Sequence, residues 1–436
     1  MALIDSTVII ADDLTGANDT ALQFFKKGCC AKILIDLNQD FSESCDVDVW
    51  SISTESRNVD NQTAVERVVK VSEILKSSLN TDNFYKKIDS TLRGNTGLEI
   101  VALLETLNKD VAIIAPAYVD EGRTTVGGYQ LLNGIPIERT QCALDPKAPI
   151  YDSFIPDILK KDLNSQLFDL IDVIGFNTVV KGAGPITLKI NELVQKGKKI
   201  LIVDAMSNTD LEQIALAISK SSYNILPCGS AGLADAISNV CKKDEENRIT
   251  TITNLPRLFI SGSATQLTLN QIEKLKEEKN NIHFIDLTTK DIIDGINNEL
   301  IENISEKLTQ GQDVVVHSSY ITKEIADDFG QNQLIDAGIA KDEFPSQISD
   351  FLANLTYEIN VKNDFILVML GGETSFKCAI KINSGYFEIL DAILPAIPLC
   401  IDANGKIIVT KSGNFGTNRT LVDILNYFDK LKNEKL

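Results

Sequence analysis

Histidine is almost absent: the 436-residue chain holds two, His283 and His317, each in or closing an apolar run. A histidine-cluster metal site is thereby excluded. A Ser-His-Asp triad loses its base, because neither histidine accompanies a nucleophile-elbow sequence. The eight cysteines are scattered except for Cys29-Cys30, and no Cys-x-x-Cys pair occurs. That removes zinc ribbons and thioredoxin-like redox sites, and reduced, mostly buried thiols are expected. Long hydrophobic runs are missing too. The longest uncharged apolar stretch, Ala392 to Ile401, is ten residues with two prolines, against roughly 20 for a bilayer span. The start, Met1-Ala2-Leu3-Ile4-Asp5, has neither the basic residues nor the apolar run of a signal peptide. A cytoplasmic protein without a membrane partner is expected. No Gly-x4-Gly-Lys-Ser/Thr pattern is present, and Gly182-Ala183-Gly184 lacks a third glycine and a clear preceding strand. P-loop enzymes and standard dinucleotide-binding folds therefore lose ground.

Positive charge is also scarce. Lys+Arg number 42 against 61 Asp+Glu, a formal charge of −19, so no nucleic-acid partner is expected, since that needs a sustained positive field. An anionic small molecule requires only that the few cations be concentrated where it sits. With 44% hydrophobic residues, the chain has the composition of a globular protein, and its length suggests two domains.

Short apolar runs alternate with helix-length amphipathic stretches throughout, the pattern of parallel-rich α/β domains. In the first half, strands are expected near Thr7 to Ala11, Ala31 to Ile35, Val47 to Ser51, Phe84 to Lys87, Val111 to Ala115 and Ile200 to Val203. Helices are expected at Asp60 to Leu79 and Thr96 to Leu107. In the second half, strands fall near Leu258 to Ile260, Ile282 to Ile285, Val314 to His317, Phe365 to Leu370 and Ile407 to Val409. Cys241 to Pro256, a charged and Thr-rich run ending in proline, reads as the linker. The expected domains are 1–241 and 257–436, each a parallel-rich sheet flanked by helices, with the active site in the cleft between them.

Chemistry-bearing segments of the first half follow strands. Asp12 and Asp13 lie at a strand's exit before a helix. Asp13 or Thr15 suits the helix cap, and alternation along extended chain turns only one of the two aspartates into a cleft. Ser53-Thr54-Glu55-Ser56-Arg57, Lys86-Lys87-Ile88-Asp89-Ser90-Thr91-Leu92-Arg93-Gly94 and Gly122-Arg123-Thr124-Thr125 are hydroxyl-rich turns, each with an arginine. The chain has eight arginines against 34 lysines, and three of the eight sit here. An arginine fork binds carboxylate bidentately, and hydroxyls both donate and accept, as a polyol ligand requires. Asp89, among cations, stays ionised and orients or deprotonates an alcohol, unless it caps the helix near Asn95 or pairs with Lys87.

In the second half, glycine-polar turns follow three apolar strands: Ser261-Gly262-Ser263-Ala264-Thr265, Gly371-Gly372-Glu373-Thr374-Ser375 and Ser412-Gly413-Asn414-Phe415-Gly416. Glycine admits close approach of a ligand to the backbone, and N–H groups opening a helix suit phosphate. Each turn alone is an ordinary connection; together they point to nucleotide.

Taken in order, these motifs resemble the four-carbon acid sugar kinases, over nearly the whole chain from about Val8 to Leu425. The resemblance rests on Asp12-Asp13-Leu14-Thr15-Gly16-Ala17, the Lys86 to Gly94 block, Gly122-Arg123-Thr124-Thr125-Val126-Gly127-Gly128 and the three glycine turns. It implies that ATP phosphorylates the terminal hydroxyl of threonate, erythronate or an oxo-tetronate, with Mg²⁺ bridging ATP oxygens. It further implies substrate contacts from Asp12 or Asp13, Arg57, and Lys87, Ile88, Asp89 and Ser90, with Arg93 and Arg123 as added anion-binding candidates. ATP contacts fall to Ser261, Gly371, Gly372, Glu373, Thr374 and Gly413, joined by Gly262, Ser263 and Asn414 from the same turns. Asp89, Asp13 and Asp12 are the candidates for catalysis. No protein ligand to a metal is assigned, and a homo-oligomer is left open. Two rival readings are a non-catalytic hydroxy-acid sensor and an NAD-dependent hydroxy-acid dehydrogenase, separated from the kinase by nucleotide preference.

Overall fold

A computed structural model describes residues 6–38, 47–144, 148–239, 254–321, 325 and 328–433. The expected linker, 241–256, lies outside the described residues except for its last three. The chain divides into two α/β units, Met1–Glu246 and Asn247–Leu436.

In the first unit the strands are β1 (Thr7–Ala11), β2 (Ala31–Leu34), β3 (Val49–Ser53), β4 (Phe84–Lys87), β5 (Val111–Ala115), β6 (Arg123–Val126), β7 (Tyr129–Leu132), β8 (Ile135–Pro136), β9 (Ile171–Ile174), β10 (Ile200–Val203) and β11 (Ile225–Gly229). Eight of them form a sheet in the order β2-β3-β1-β4-β11-β5-β10-β9, with every pair parallel. β1 and β5 are buried along their whole length, as central strands covered on both faces must be. The remaining three strands make a small antiparallel sheet, β6-β7-β8.

Helices fill the crossovers. α1 (Leu14–Phe25) is buried at nearly every position, and the Asp13 side chain caps it by accepting from Gly16 N. α2 (Asn61–Leu79) is capped by Asp60 and buries Ala64, Val68, Val71 and Leu75, the spacing of one helical face. α3 (Thr96–Thr106) ends at Leu107. The chain leaves β1 toward β2 and β3 on one side and returns to β4 on the other. That reversal is a topological switch point, where open α/β sheets leave a crevice beyond their carboxyl ends.

The second unit contains β12 (Arg257–Ser261), β13 (Ile282–Asp286), β14 (Asp313–His317), β15 (Ile366–Leu370), β16 (Tyr386–Leu394), β17 (Ile397–Asp402) and β18 (Ile407–Lys411). Their order is β13-β14-β12-β15-β18-β17-β16. The first five run parallel, whereas β16, β17 and β18 pair antiparallel. The apolar run Ala392 to Ile401 is therefore two strands, reversed where Ala396 takes a positive φ of 56°. Phe259, Val368, Leu370 and Val409 pack one face of this sheet against Ile272, Leu275, Leu421, Leu425 and Phe428 of two helices. The histidines differ from one another: His317 is fully buried at the end of β14, but His283 is half-exposed on edge strand β13 and not in the core.

One buried ion pair ties β4 to α3. Lys86 Nζ lies 2.5 Å from Glu99, with both side chains 1% exposed. Removing one member strands the other charge without solvent, at a cost of roughly 3–5 kcal/mol, whereas replacing both with apolar residues avoids that penalty. Glu99→Ala is thus expected to lower the urea midpoint strongly and Lys86→Met/Glu99→Leu to recover most of the loss. Additive destabilisation in the double variant would contradict this.

Candidate active site

Strands β3, β1 and β4 end side by side, and the segments that leave them lock together. Thr54 N and Oγ1 both donate to Ala11 O at 2.9 Å. Ser56 N and Arg57 N donate to Asp12 O at 3.0 and 3.2 Å. From the β4 side, Asn95 Nδ2 donates to Ser56 O and Val59 O at 2.8 and 3.1 Å. Gly94 has a φ of +92°, and a Cβ there would lie 3.3 Å from Arg57 Cα. Glycine is needed on both counts.

The charged side chains follow this frame. Arg57 Nε and a terminal nitrogen donate to the two oxygens of Asp12 at 2.7 and 2.9 Å, and its other terminal nitrogen donates to Asp13 at 2.6 Å. Both aspartates converge on one guanidinium. The expectation that only one would point inward is corrected: β1 stops at Ala11, so strand alternation no longer governs residues 12 and 13. Arg57 is likewise not an open fork awaiting an acid. Asp89 pairs with Arg93 at 2.7 Å and accepts from Thr91 Oγ1 at 2.5 Å. It neither pairs with Lys87 nor caps α3, where Asn95 stands without a side-chain cap bond. Lys87 Nζ donates to Ile88 O at 2.9 Å and faces Gly16, where a Cβ would come within 3.0 Å of it. Ser90 O accepts from Gln130 Nε2 at 2.7 Å, fastening the small antiparallel sheet to this loop.

Burial works to raise the pKa of Asp12 and of Asp89, but neighbouring cations prevail. Arg57, with Lys86 and Lys87, holds Asp12 below its ordinary value, and Arg93 and Arg57 hold Asp89 well below. Burial also opposes the charge on Arg57, yet Asp12, Asp13 and Asp89 together raise it well above its usual value. The ionised Asp12 and Asp89, with Asp13 beside them, are therefore fixed around two guanidiniums. A cavity of about 620 Å³ opens beside Arg57, lined also by Asn58, Gly94, Asn95, Tyr151 and Asp157, a size suited to small ligands. Arg123 stands apart, bonded to Glu121 O and 3.1 Å from the Glu121 carboxylate. The Gly127 and Gly128 N–H groups are taken by buried Asp204 at 2.7 and 2.9 Å.

In the second unit, β12, β15 and β18 also end in register: Ser261 lies opposite Leu370 and Leu370 opposite Lys411. Their turns touch. A Cβ on Gly262 would come within 2.2 Å of Thr374 Oγ1, and one on Gly413 within 2.4 Å of Ser263 Oγ. Ser263 Oγ bonds the hydroxyls of Thr265 and Thr268 at 3.1 and 2.9 Å, and both threonines donate to Gly413 O. Gly371, φ +105°, opens helix Gly372–Lys381 without a side-chain cap, so its first N–H groups suit phosphate oxygens. Thr374 is buried against Gly262, whereas Glu373 lies 3.6 Å from Lys377 and Asn414 is exposed. Ser261 Oγ is buried with no hydrogen-bond partner among the described residues.

Comparison with known proteins assigns each unit to a family domain. A family described as a sugar-binding N-terminal domain matches residues 7–237, and one described as a nucleotide-binding C-terminal domain matches 258–421. The chain belongs to the four-carbon acid sugar kinase family. It is 29% identical to a D-threonate kinase of Salmonella typhimurium over 97% of this chain and 98% of that protein. A D-erythronate kinase of Heliobacterium modesticaldum is 34% identical over 63% of this chain and 61% of its own length. A 3-oxo-tetronate kinase of Haemophilus influenzae is 28% identical over 62% of this chain and 64% of its own length. Among solved structures, a Haemophilus influenzae protein superposes with a TM-score of 0.75 at 24% identity, covering 96% of this chain and 99% of its own. A Salmonella typhimurium protein reaches 0.79 at 22%, covering 96% and 98%. These two establish the α/β fold. The sensor and dehydrogenase readings fall away, and no helix among the described residues is long and apolar enough to cross a membrane.

Two acids in the kinase's first unit escape the sequence reading. Asp19 lies on the buried side of α1, where burial, opposed by Lys87, raises its carboxyl to about 6. Glu55, at a φ of +47°, accepts from Leu14 N at 3.1 Å and Ser53 Oγ at 2.6 Å and so joins β3 to the start of α1. Burial and then Asp13 push it up to about 7, against the Ser53 hydrogen bond. The signal for Asp19 is a charge on a helix with no polar face. For Glu55 no local signal exists. Because the folded protein holds this proton to a higher pH than the unfolded chain, Glu55 costs stability as pH rises from about 4.5 to 7. Glu55→Gln is expected to flatten the fall in thermal midpoint across that window; an unchanged pH profile would contradict the assignment.

Proposed function

We propose that the kinase transfers the γ-phosphoryl group of ATP to the terminal hydroxyl of threonate, erythronate or an oxo-tetronate bound at the β3-β1-β4 edge. The observation that carries this reading is the set of aspartates held by Arg57 and Arg93. A carboxylate fixed on one side by a guanidinium keeps other lone pairs open, and polyol hydroxyls are donors that seek such acceptors. Asp89 is assigned to orient the acceptor hydroxyl, with Asp12 and Asp13 holding the remaining hydroxyls. Ile88 and Ser90 offer backbone groups, and Lys87 faces the acid's carboxylate. Held well below its ordinary pKa, Asp89 is a weak base. That suits a loose phosphoryl-transfer transition state, in which positioning and charge neutralisation outweigh proton abstraction.

ATP is assigned to the Ser261–Ser263, Gly371–Thr374 and Gly413–Asn414 turns, where glycines leave space for phosphate oxygens. Among the described residues no group of three or more His, Cys, Asp and Glu is placed to hold a metal. Mg²⁺ accordingly enters the proposal on the nucleotide's own oxygens, with no protein ligand assigned. Acceptor and nucleotide must meet with water excluded, because ATP hydrolysis is the competing reaction.

The test is ADP release from Mg-ATP with D- and L-threonate, D- and L-erythronate and the oxo-tetronates as acceptors. One acid is expected to stimulate release well above the others, and no stimulation by any member would overturn the acceptor class. Asp89→Asn should lower kcat roughly 100-fold or more while ADP affinity stays within about twofold. Normal turnover would remove Asp89 from the mechanism.

A further inference from the structure

We infer that Lys411 is the cation that receives the nucleotide's phosphate charge, an assignment that rests on the kinase reading above. Lys411 closes β18 at the Ser412–Gly416 turn, and its side chain is 2% exposed. Its Nζ donates to Ser412 O at 2.6 Å and reaches Gly413 O only at 3.4 Å. Carbonyl dipoles do not neutralise an ammonium, and a buried, uncompensated charge costs several kcal/mol. No carboxylate among the described residues compensates it. Burial alone acts on the ionisation of Lys411, bringing it down to about 8. The charged groups on the elements around it include Glu373 at the start of helix Gly372–Lys381, Asp423 in helix Thr420–Asn433 and Arg419 just before that helix. Glu373 lies near Lys377, Arg419 pairs with Glu278, and none of the three bears on Lys411.

A second feature of the same strand ends points the same way. Ser261 and Lys411 flank Leu370 in one register row, so their side chains leave the sheet on the same face. The Ser261 hydroxyl is buried without a partner among the described residues. A cation without a counter-ion and a hydroxyl without a partner thus stand where Gly371 and Gly413 keep side chains out. An anion rich in acceptor oxygens supplies what both lack, and lysine meets phosphate as a point charge.

The experiment measures ADP and adenosine binding to the full chain by calorimetry at pH 8.5, in two buffers of different ionisation heat. An ammonium that titrates near pH 8 is mostly neutral under these conditions and protonates when phosphate arrives. Wild type should therefore take up roughly half a proton or more per ADP and none with adenosine. Lys411→Met should weaken ADP roughly ten- to a hundredfold, leave adenosine within about twofold and abolish the uptake. ADP binding without proton uptake, or equal loss for ADP and adenosine in Lys411→Met, would overturn the inference and make Lys411 an anchor of its own turn. If the variant does not fold, uptake by wild type decides alone. Wild type that binds no nucleotide would instead overturn the kinase reading itself.

Discussion

Arg57 holds two carboxylates, and the first unit's site is built on that contact. Asp12 and Asp13 arrive from β1, Arg57 from β3, and Asp89 from β4 adds a third negative charge felt by the same guanidinium. Without Arg57, burial would act on Asp12 with far less opposition and favour a proton there, turning an acceptor oxygen that a polyol needs into a donor. The backbone bonds from Ser56 and Arg57 to Asp12 O, with the glycine at position 94, fix the geometry that lets one fork serve both aspartates. Charge balance, strand order and turn conformation are therefore a single requirement.

The second unit solves the converse problem. In the function proposed here, the first site fixes anions to meet hydroxyls, and the second clears side chains and leaves donors to meet an anion. Gly262 and Gly413 are packed so closely against Thr374 and Ser263 that a methyl group at either position would collide. A network of three hydroxyls ending on Gly413 O holds two of the turns together. Both sites lie at the carboxyl edge of a parallel sheet beside its switch point, which is where such sheets expose backbone and loop side chains rather than packed core.

Much of this was legible in the sequence. β1, β5, β10 and β14 stand out as largely apolar runs of strand length, and Asp60 and Asp13 mark helix starts through ordinary capping chemistry. β11 was hidden by Pro227, which pairs opposite Ile113 inside the sheet, a position where proline argues against a strand. β9 is an edge strand interrupted by Asp172, and β16 with β17 read as one proline-broken run rather than a hairpin. The motifs named most of the candidate site residues, but not their pairing. Arg57 meets Asp12 across 45 residues only because β3 lies beside β1, and strand order is not written in local pattern. Lys411 was legible in principle: in Ile407-Ile408-Val409-Thr410-Lys411 it falls on the same face as Ile407 and Val409, the phase of a buried residue.

The most direct test of two separate strand-edge sites is amide hydrogen exchange on the full chain, with ADP alone and with D-threonate or D-erythronate alone. ADP should slow exchange at Ser261–Thr265, Gly371–Ser375 and Lys411–Gly416, and an accepted acid should slow it at Asp12–Gly16, Ser53–Arg57 and Lys87–Gly94. Protection by both ligands in the same unit, or by the acid only around residues 148–162, would contradict the account.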